Sequence, residues 1–218
     1  ETRAYTFWDI QQAANRLSNA LTALGVKRGE RVAILLPQRP ETAIAYIAIF
    51  QMGAIALPLS HLFGPEALEY RLQDSEACAA IVEPATIANL LAVKDKLPLL
   101  RYVIGTGGAA QAGVSQWDAL LAKADSRFTC LDTGAEDSAL IVYTSGTTGP
   151  PKGALKPHRV LLGNIPGFVH SHDFFPQPGD MFWSPADWAW AGGLMDALLP
   201  SWNFGIPILG YRGRFDAE

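Results

Sequence analysis

The eleven residues from Tyr143 to Gly153, YTSGTTGPPKG, combine four Ser/Thr hydroxyls, three glycines and one lysine, and they follow an apolar run that begins at Ala139. A polyphosphate needs close backbone approach, hydrogen-bond donors and positive charge, and glycine, Ser/Thr and lysine supply these in turn. Thr144, Ser145, Thr147 and Thr148 are therefore candidate donors to phosphate oxygens. Gly146, Gly149 and Gly153 are the positions that allow close approach, and Lys152 is the point charge. The spacing is not that of a Walker-type loop, because Pro150 and Pro151 separate Gly149 from Lys152 and no Ser or Thr follows the lysine. The prolines have no N–H, so the run cannot be an unbroken cradle of backbone donors, and the work falls to its hydroxyls.

Other residues invite chemistry with weaker patterns. Trp188 and Trp190 flank Ala189 just before Gly192 and Gly193, a combination that could wall a narrow channel or let a ligand approach the backbone. Aromatics at that density equally serve a core, so both readings stay open. His170, His172 and Asp173 fall short of a coordination set, and no metal is assigned to them. His158 either reaches a phosphate or acyl channel or caps the helix that follows, and His61 sits in an apolar stretch without a nameable partner. Gly105, Gly107 and Ala110 fit the G-x-G-x-x-A dinucleotide pattern, yet AAQAG carries no apolar stripe for the helix a pyrophosphate requires. A surface loop is expected there.

The elements that must position these residues alternate along the chain. Apolar residues recur at helical spacing from Trp8 to Leu24, with Thr6 placed as N-cap and Gly25 as the stop. Strands are expected at Arg31–Leu36, Ala54–Leu59, Cys78–Val82 and Leu100–Ile104, with helices after Pro40, Pro65 and Pro84. The run Ala139–Tyr143 reads as a buried strand, Arg159–Phe168 as a helix, and Met181–Leu209 as strand, helix, strand. Such alternation predicts an α/β fold with a largely parallel sheet and helices on both faces.

Composition bounds the rest. With 49% hydrophobic and only 17% charged residues, the 218-residue chain holds more apolar matter than a free-standing domain usually carries, and a piece of a longer protein is expected. A net charge of -4 argues against nucleic acid, and no apolar run reaches the ~18 residues of a membrane span, so a soluble protein is expected. Cys78 and Cys130 are too few and too far apart for a disulfide framework or metal site, which fits a reducing cytoplasm.

The run Thr144–Gly153 resembles the signature loop of the adenylate-forming (AMP-binding) superfamily of acyl-CoA synthetases, peptide-synthetase adenylation domains and luciferases. It matches Thr-Ser-Gly-Thr-Thr-Gly-x-Pro-Lys-Gly at every defined position. YTFWDI, GERVAILLP and MGAIALPLS resemble the family's opening segments in order, and FWSPADWAWAGGL resembles the Ala-Asp-x-x-Trp-x-x-Gly stretch of acetyl-CoA and medium-chain synthetases at Ala186, Asp187, Trp190 and Gly193. The resemblance implies the incomplete large N-terminal domain of an acyl-CoA synthetase-like fold. Residues 1–135 would form a first βα subdomain and 136–218 the start of a second, with the C-terminal domain absent. It also implies activation of a carboxylic acid by ATP with Mg²⁺, release of pyrophosphate, and transfer of the acyl group to CoA. Lys152 and Thr148 would then be catalytic, while Trp188, Trp190 and Gly193 would meet the acyl substrate. Leu194 stands where acetyl-CoA synthetases often carry histidine, which speaks against acetate. The adenine, ribose and Mg²⁺ segments and the C-terminal lysine of the family are not found, so the isolated chain is expected to bind nucleotide weakly and not to turn over. A domain loading a carrier protein and a non-catalytic nucleotide-binding fragment remain alternatives.

Overall fold

In the central strands successive side chains point to opposite faces, and this alternation sorts the apolar residues into two cores. A computed structural model describes residues 2–144 and 149–213. Seven strands form one sheet: β1 (Arg31–Leu35), β2 (Ile55–Pro58), β3 (Ala79–Val82), β4 (Tyr102–Gly105), β5 (Val114–Gln116), β6 (Ser138–Thr144) and β7 (Lys152–Pro157). Their order is β5-β4-β3-β1-β2-β6-β7, parallel throughout except for the antiparallel β6–β7 pair. Residues on both sides of position 135/136 thus share one sheet. Val32 and Ile34 face one core with Ala56, Ile81 and Ile104, while Ala33 and Leu35 face the other with Leu57, Ala80 and Val82.

Helices cover both faces, as an all-parallel arrangement requires. The first core is closed by α1 (Phe7–Leu24), α2 (Pro40–Gln51) and, through Trp117, α5 (Trp117–Lys123). The second is closed by α3 (Pro65–Asp74) and α4 (Ile87–Leu91). The expected start of α1 is a complete capping box. The Thr6 hydroxyl accepts from the Asp9 amide at 3.1 Å, and the Asp9 carboxylate accepts from the Thr6 amide at 2.8 Å. Gly25 stops the helix in the left-handed region at φ 95°. Helix α2 buries Ala43 to Tyr46 without interruption, because it lies between α1 and the sheet and needs no polar face.

Strands β5 and β7, helix α5 and the 3-10 turn at Lys94–Lys96 escaped the sequence reading. β5 has only three residues and follows the turn at residues 106–113, where a strand, not a helix, succeeds the glycines. β7, KGALKP, holds two lysines, a glycine and a proline, a poor strand composition that is tolerated because it forms the sheet edge and pairs only with β6. Beyond α6 (Val160–Ser171) the expected strand-helix-strand run is present. Short parallel strands β8 (Phe182–Trp183) and β9 (Ile208–Leu209) bracket helical turns over Ala191–Gly193, Leu194–Leu198 and Leu199–Asn203, the middle one of π type. Leu194, Met195, Leu198 and Leu199 pack into the first core. Among the described residues, no helix is long and apolar enough to cross a membrane.

Candidate active site

In open α/β sheets, ligands bind outside the carboxyl ends of the strands. The Gly/Ser/Thr/Lys run occupies such an edge, at the end of β6. The β6–β7 register sets Thr144 opposite Lys152 and Tyr143 opposite Gly153, so the two described ends of the run are the paired arms of a hairpin. Thr144 and Lys152 are both exposed, and Lys152 makes no ion pair among the described residues. Gly149 has φ +84°, a conformation that resists any side chain. A Cβ on Gly153 would come within 3.0 Å of Ile141 and 3.2 Å of the Tyr143 ring, so packing across the hairpin is tight at this position. Ser145, Gly146, Thr147 and Thr148 lie outside the described residues.

The shoulders of the hairpin are fixed by α3. The Tyr143 hydroxyl donates to Asp74 Oδ2 at 2.5 Å, and the Tyr70 hydroxyl donates to the Pro151 carbonyl at 2.9 Å. Burial, and then the Asp74 carboxylate, drive the Tyr143 phenol well above its ordinary range, so it stays a neutral donor. The Arg71 guanidinium lies 4.2 Å from the centroid of Phe63 and 5.5 Å from that of Tyr143. Phe63 in turn meets Trp190 edge-on at 5.9 Å. Helix α3 and the loop preceding it therefore join the hairpin to the tryptophan segment, contacts that no local sequence pattern announces.

That second segment, Ser184–Gly193, is held by side chains from three different elements. Gln38, buried after β1, donates from Nε2 to the carbonyls of Ser184 at 2.9 Å and Ala186 at 2.6 Å, while its Oε1 accepts from the Tyr211 amide at 3.0 Å. The Tyr46 hydroxyl on α2 donates to the Trp188 carbonyl at 2.8 Å. Burial, and then the Asp187 charge, push its phenol far up. His61, after β2, has its Nδ1 3.1 Å from Asp187 Oδ2. The structure thus supplies the partner that sequence alone did not name, 126 residues away.

The two tryptophans part company. Trp188 is 3% exposed and belongs to the first core, whereas Trp190 is 44% exposed beside Phe63. Gly193 has a definite reason to be glycine: a Cβ would lie 2.6 Å from the Ala186 carbonyl oxygen and would collide with that of Asp187. His158 does not cap α6. Its ring meets Phe50 edge-on at 6.0 Å and lines an apolar cavity of about 250 Å³, with Nε2 buried and unpartnered. Burial lowers its pKa, and Arg28 adds to that, with Asp137 opposing. His172 is occupied by the Phe168 carbonyl at 2.9 Å. Among the described residues, no three His, Cys, Asp or Glu side chains converge to hold a metal.

At the β1/β3 boundary, where the strand order reverses, the crevice is filled by ion pairs. Arg39 bonds Glu41 at 2.6 and 2.7 Å and Glu83 at 3.0 Å, and Arg212 reaches the same Glu83 oxygen at 2.9 Å. Burial works against charge on Glu41, but the Arg39 hydrogen bonds outweigh it and hold its carboxyl below the usual range.

Comparison with known proteins agrees with this geometry. The family model described as AMP-binding enzyme matches residues 1–214. The acetyl-coenzyme A synthetase of Bacillus subtilis (strain 168) is 31% identical over 98% of this chain and 37% of its own length. The human mitochondrial acyl-coenzyme A synthetase ACSM2B is 31% identical over 89% of this chain and 33% of its own length. Among solved structures, the anthranilate CoA ligase AuaEII in complex with anthranoyl-AMP superposes with a TM-score of 0.89 at 26% identity, covering 97% of this chain and 40% of that one. The chain therefore spans between a third and two fifths of these relatives. With the signature hairpin, the parallel sheet and the family match all in register, the chain belongs to the AMP-binding enzyme family.

Proposed function

We propose that the protein containing this chain activates a carboxylic acid with ATP and passes the acyl group to CoA. The observation that carries this reading is the hairpin register, which sets Thr144 directly opposite Lys152, both exposed, at the carboxyl edge of β6. In the first step a carboxylate oxygen attacks the α-phosphorus of ATP, and the bond to the β-phosphate bridging oxygen breaks. Pyrophosphate leaves with the electron pair, and the acyl adenylate remains. Phosphoryl-type transfer is mostly positioning and charge stabilisation, so Lys152 and the hydroxyls of Thr144, Ser145, Thr147 and Thr148 serve by holding the departing phosphates. Gly146, Gly149 and Gly153 let the hairpin close on them. In the second step the CoA thiol attacks the acyl carbonyl and AMP departs.

Mg²⁺ would neutralise the triphosphate charge. The Thr144 hydroxyl, exposed at the end of β6, is the hard oxygen among the described hairpin residues that would help hold the ion. Trp190 and Gly193 would border the acyl path, with Trp188 supporting it from the core. Leu194 in the first core, where histidine is usual in acetyl-CoA synthetases, speaks against acetate specificity and leaves the acid's length open. Residues 1–135 and 136–218 would be two parts of the family's large domain. The free thiols of Cys78 and Cys130 suit a cytoplasmic setting.

The test is pyrophosphate release by the full-length protein against carboxylic acids from acetate upward, with and without CoA. Acid-dependent pyrophosphate followed by acyl-CoA is the expected result. Acyl-adenylate that reacts only with a carrier-protein thiol would move the acceptor, and pyrophosphate release with no acid at all would sink the reading.

A further inference from the structure

The loop between β2 and α3 grips the tryptophan segment at two points. His61 meets Asp187, and two residues on Phe63 meets Trp190. Asp187 is the knot of this clasp. Its Oδ1 accepts from the Ala189 amide at 3.1 Å and its Oδ2 faces His61 Nδ1 at 3.1 Å, while its backbone carbonyl accepts from the Trp190 amide at 3.0 Å. Gly193 presses on the same peptide, which leaves the turn no room to shift toward it. An ionised carboxylate only accepts, so Nδ1 of His61 must carry the proton and donate. The pair is largely shielded, with side-chain exposures of 29% and 16%, where a hydrogen bond to a charged group is stronger than one in open water.

We propose that His61 is a positioning residue: by donating to Asp187 it sets the Asp187–Trp190 turn, and through it the border of the acyl and CoA path. What that turn contacts rests on the function proposed above, whereas the clasp itself rests on geometry alone. Among the described residues His61 bonds Asp187, and the hairpin's shoulders bond α3, so the influence of His61 is expected on the acid and the thiol rather than on ATP.

Three variants separate this role from general destabilisation. Asparagine carries its amide nitrogen on Cγ, where histidine carries Nδ1, so His61→Asn keeps the donor in place. His61→Ala removes it, and His61→Gln moves it one bond outward. Hydrogen exchange at the Ala189 and Trp190 amides is expected to speed up in His61→Ala and His61→Gln and to remain protected in His61→Asn. In steady-state assays of the full-length protein, His61→Ala should raise KM for the acid or CoA about tenfold, the order a charge-assisted bond carries, while KM for ATP holds. His61→Asn should restore it. Unchanged exchange at the two amides in His61→Ala, or an equal rise in KM for ATP, overturns the assignment. A wild-type protein that activates no acid would instead defeat the proposed function, and the exchange measurement would still decide the clasp.

Discussion

The signature hairpin and the Ser184–Gly193 segment lie at the same edge of the sheet but are built on opposite principles. Among the described residues the hairpin is anchored at its shoulders, by Tyr143 on Asp74 and Tyr70 on Pro151, and its described polar residues Thr144 and Lys152 are exposed on a paired strand end. The tryptophan segment has little regular structure. It is held by Gln38, Tyr46 and His61 from three separate elements, and its most conspicuous residue, Trp188, is buried. Chemistry and stability are therefore separable in the first region and merged in the second.

The contrast breaks most visibly at Trp188. Truncation to alanine empties a site that is 97% covered, and removing a buried aromatic of that size costs about 3–5 kcal/mol, so Trp188→Ala should lower the denaturation midpoint steeply. Urea unfolding followed by circular dichroism measures it, and a loss below about 1 kcal/mol would mean that the ring contributes little to the core. Lys152→Ala comes next and should do the reverse. Loss of a pre-organised charge beside the leaving phosphates is expected to slow acyl-adenylate formation by about 10²–10³-fold, with unfolding unchanged within about 0.5 kcal/mol. An unaltered rate of pyrophosphate release would remove Lys152 from the reaction.

Gly193→Ala sharpens the comparison, because it is a single methyl group placed where folding and function meet. The added Cβ would overlap the Asp187 carbonyl oxygen and must push the turn away, at about 1–3 kcal/mol, the usual cost of overpacking. The same displacement pulls Asp187 from His61, so substrate binding should weaken together with stability. Gly192→Ala, a Cβ with nothing within 4 Å, is the control that should leave both near wild type.

These differences explain what could be read from sequence. The sheet and its helices were legible because βα alternation, the Thr6 cap and the Gly25 stop are local signals, and the hairpin was legible because its Gly, Ser, Thr and Lys residues form one unbroken local pattern. β7 was hidden, since KGALKP forms a strand only by pairing with β6. Gln38, Tyr46 and His61 were hidden for another reason. Their partners lie between 126 and 173 residues away, and no periodicity links a residue to a carbonyl at that distance. Of these, Gln38 had the best available signal, its place just past the carboxyl end of a central strand.

The smallest expected effect concerns His158, which lies close to the hairpin in sequence yet faces an apolar cavity instead of solvent or ligand. Burial lowers its pKa below the ordinary imidazole value of 6.5. As pH falls below 6.5 the unfolded chain takes up a proton that the native chain refuses until its own lower pKa is reached. Stability is then full above 6.5, declines as pH drops below it, and levels off beneath the folded pKa. His158→Leu removes the titrating group from the cavity and should flatten this part of the curve. Thermal melts of wild type and variant between pH 7.5 and pH 5, roughly the span over which an imidazole titrates, provide the measurement. Parallel curves would place the His158 ring in water, and with it the boundary between the hairpin's exposed chemistry and the core behind it.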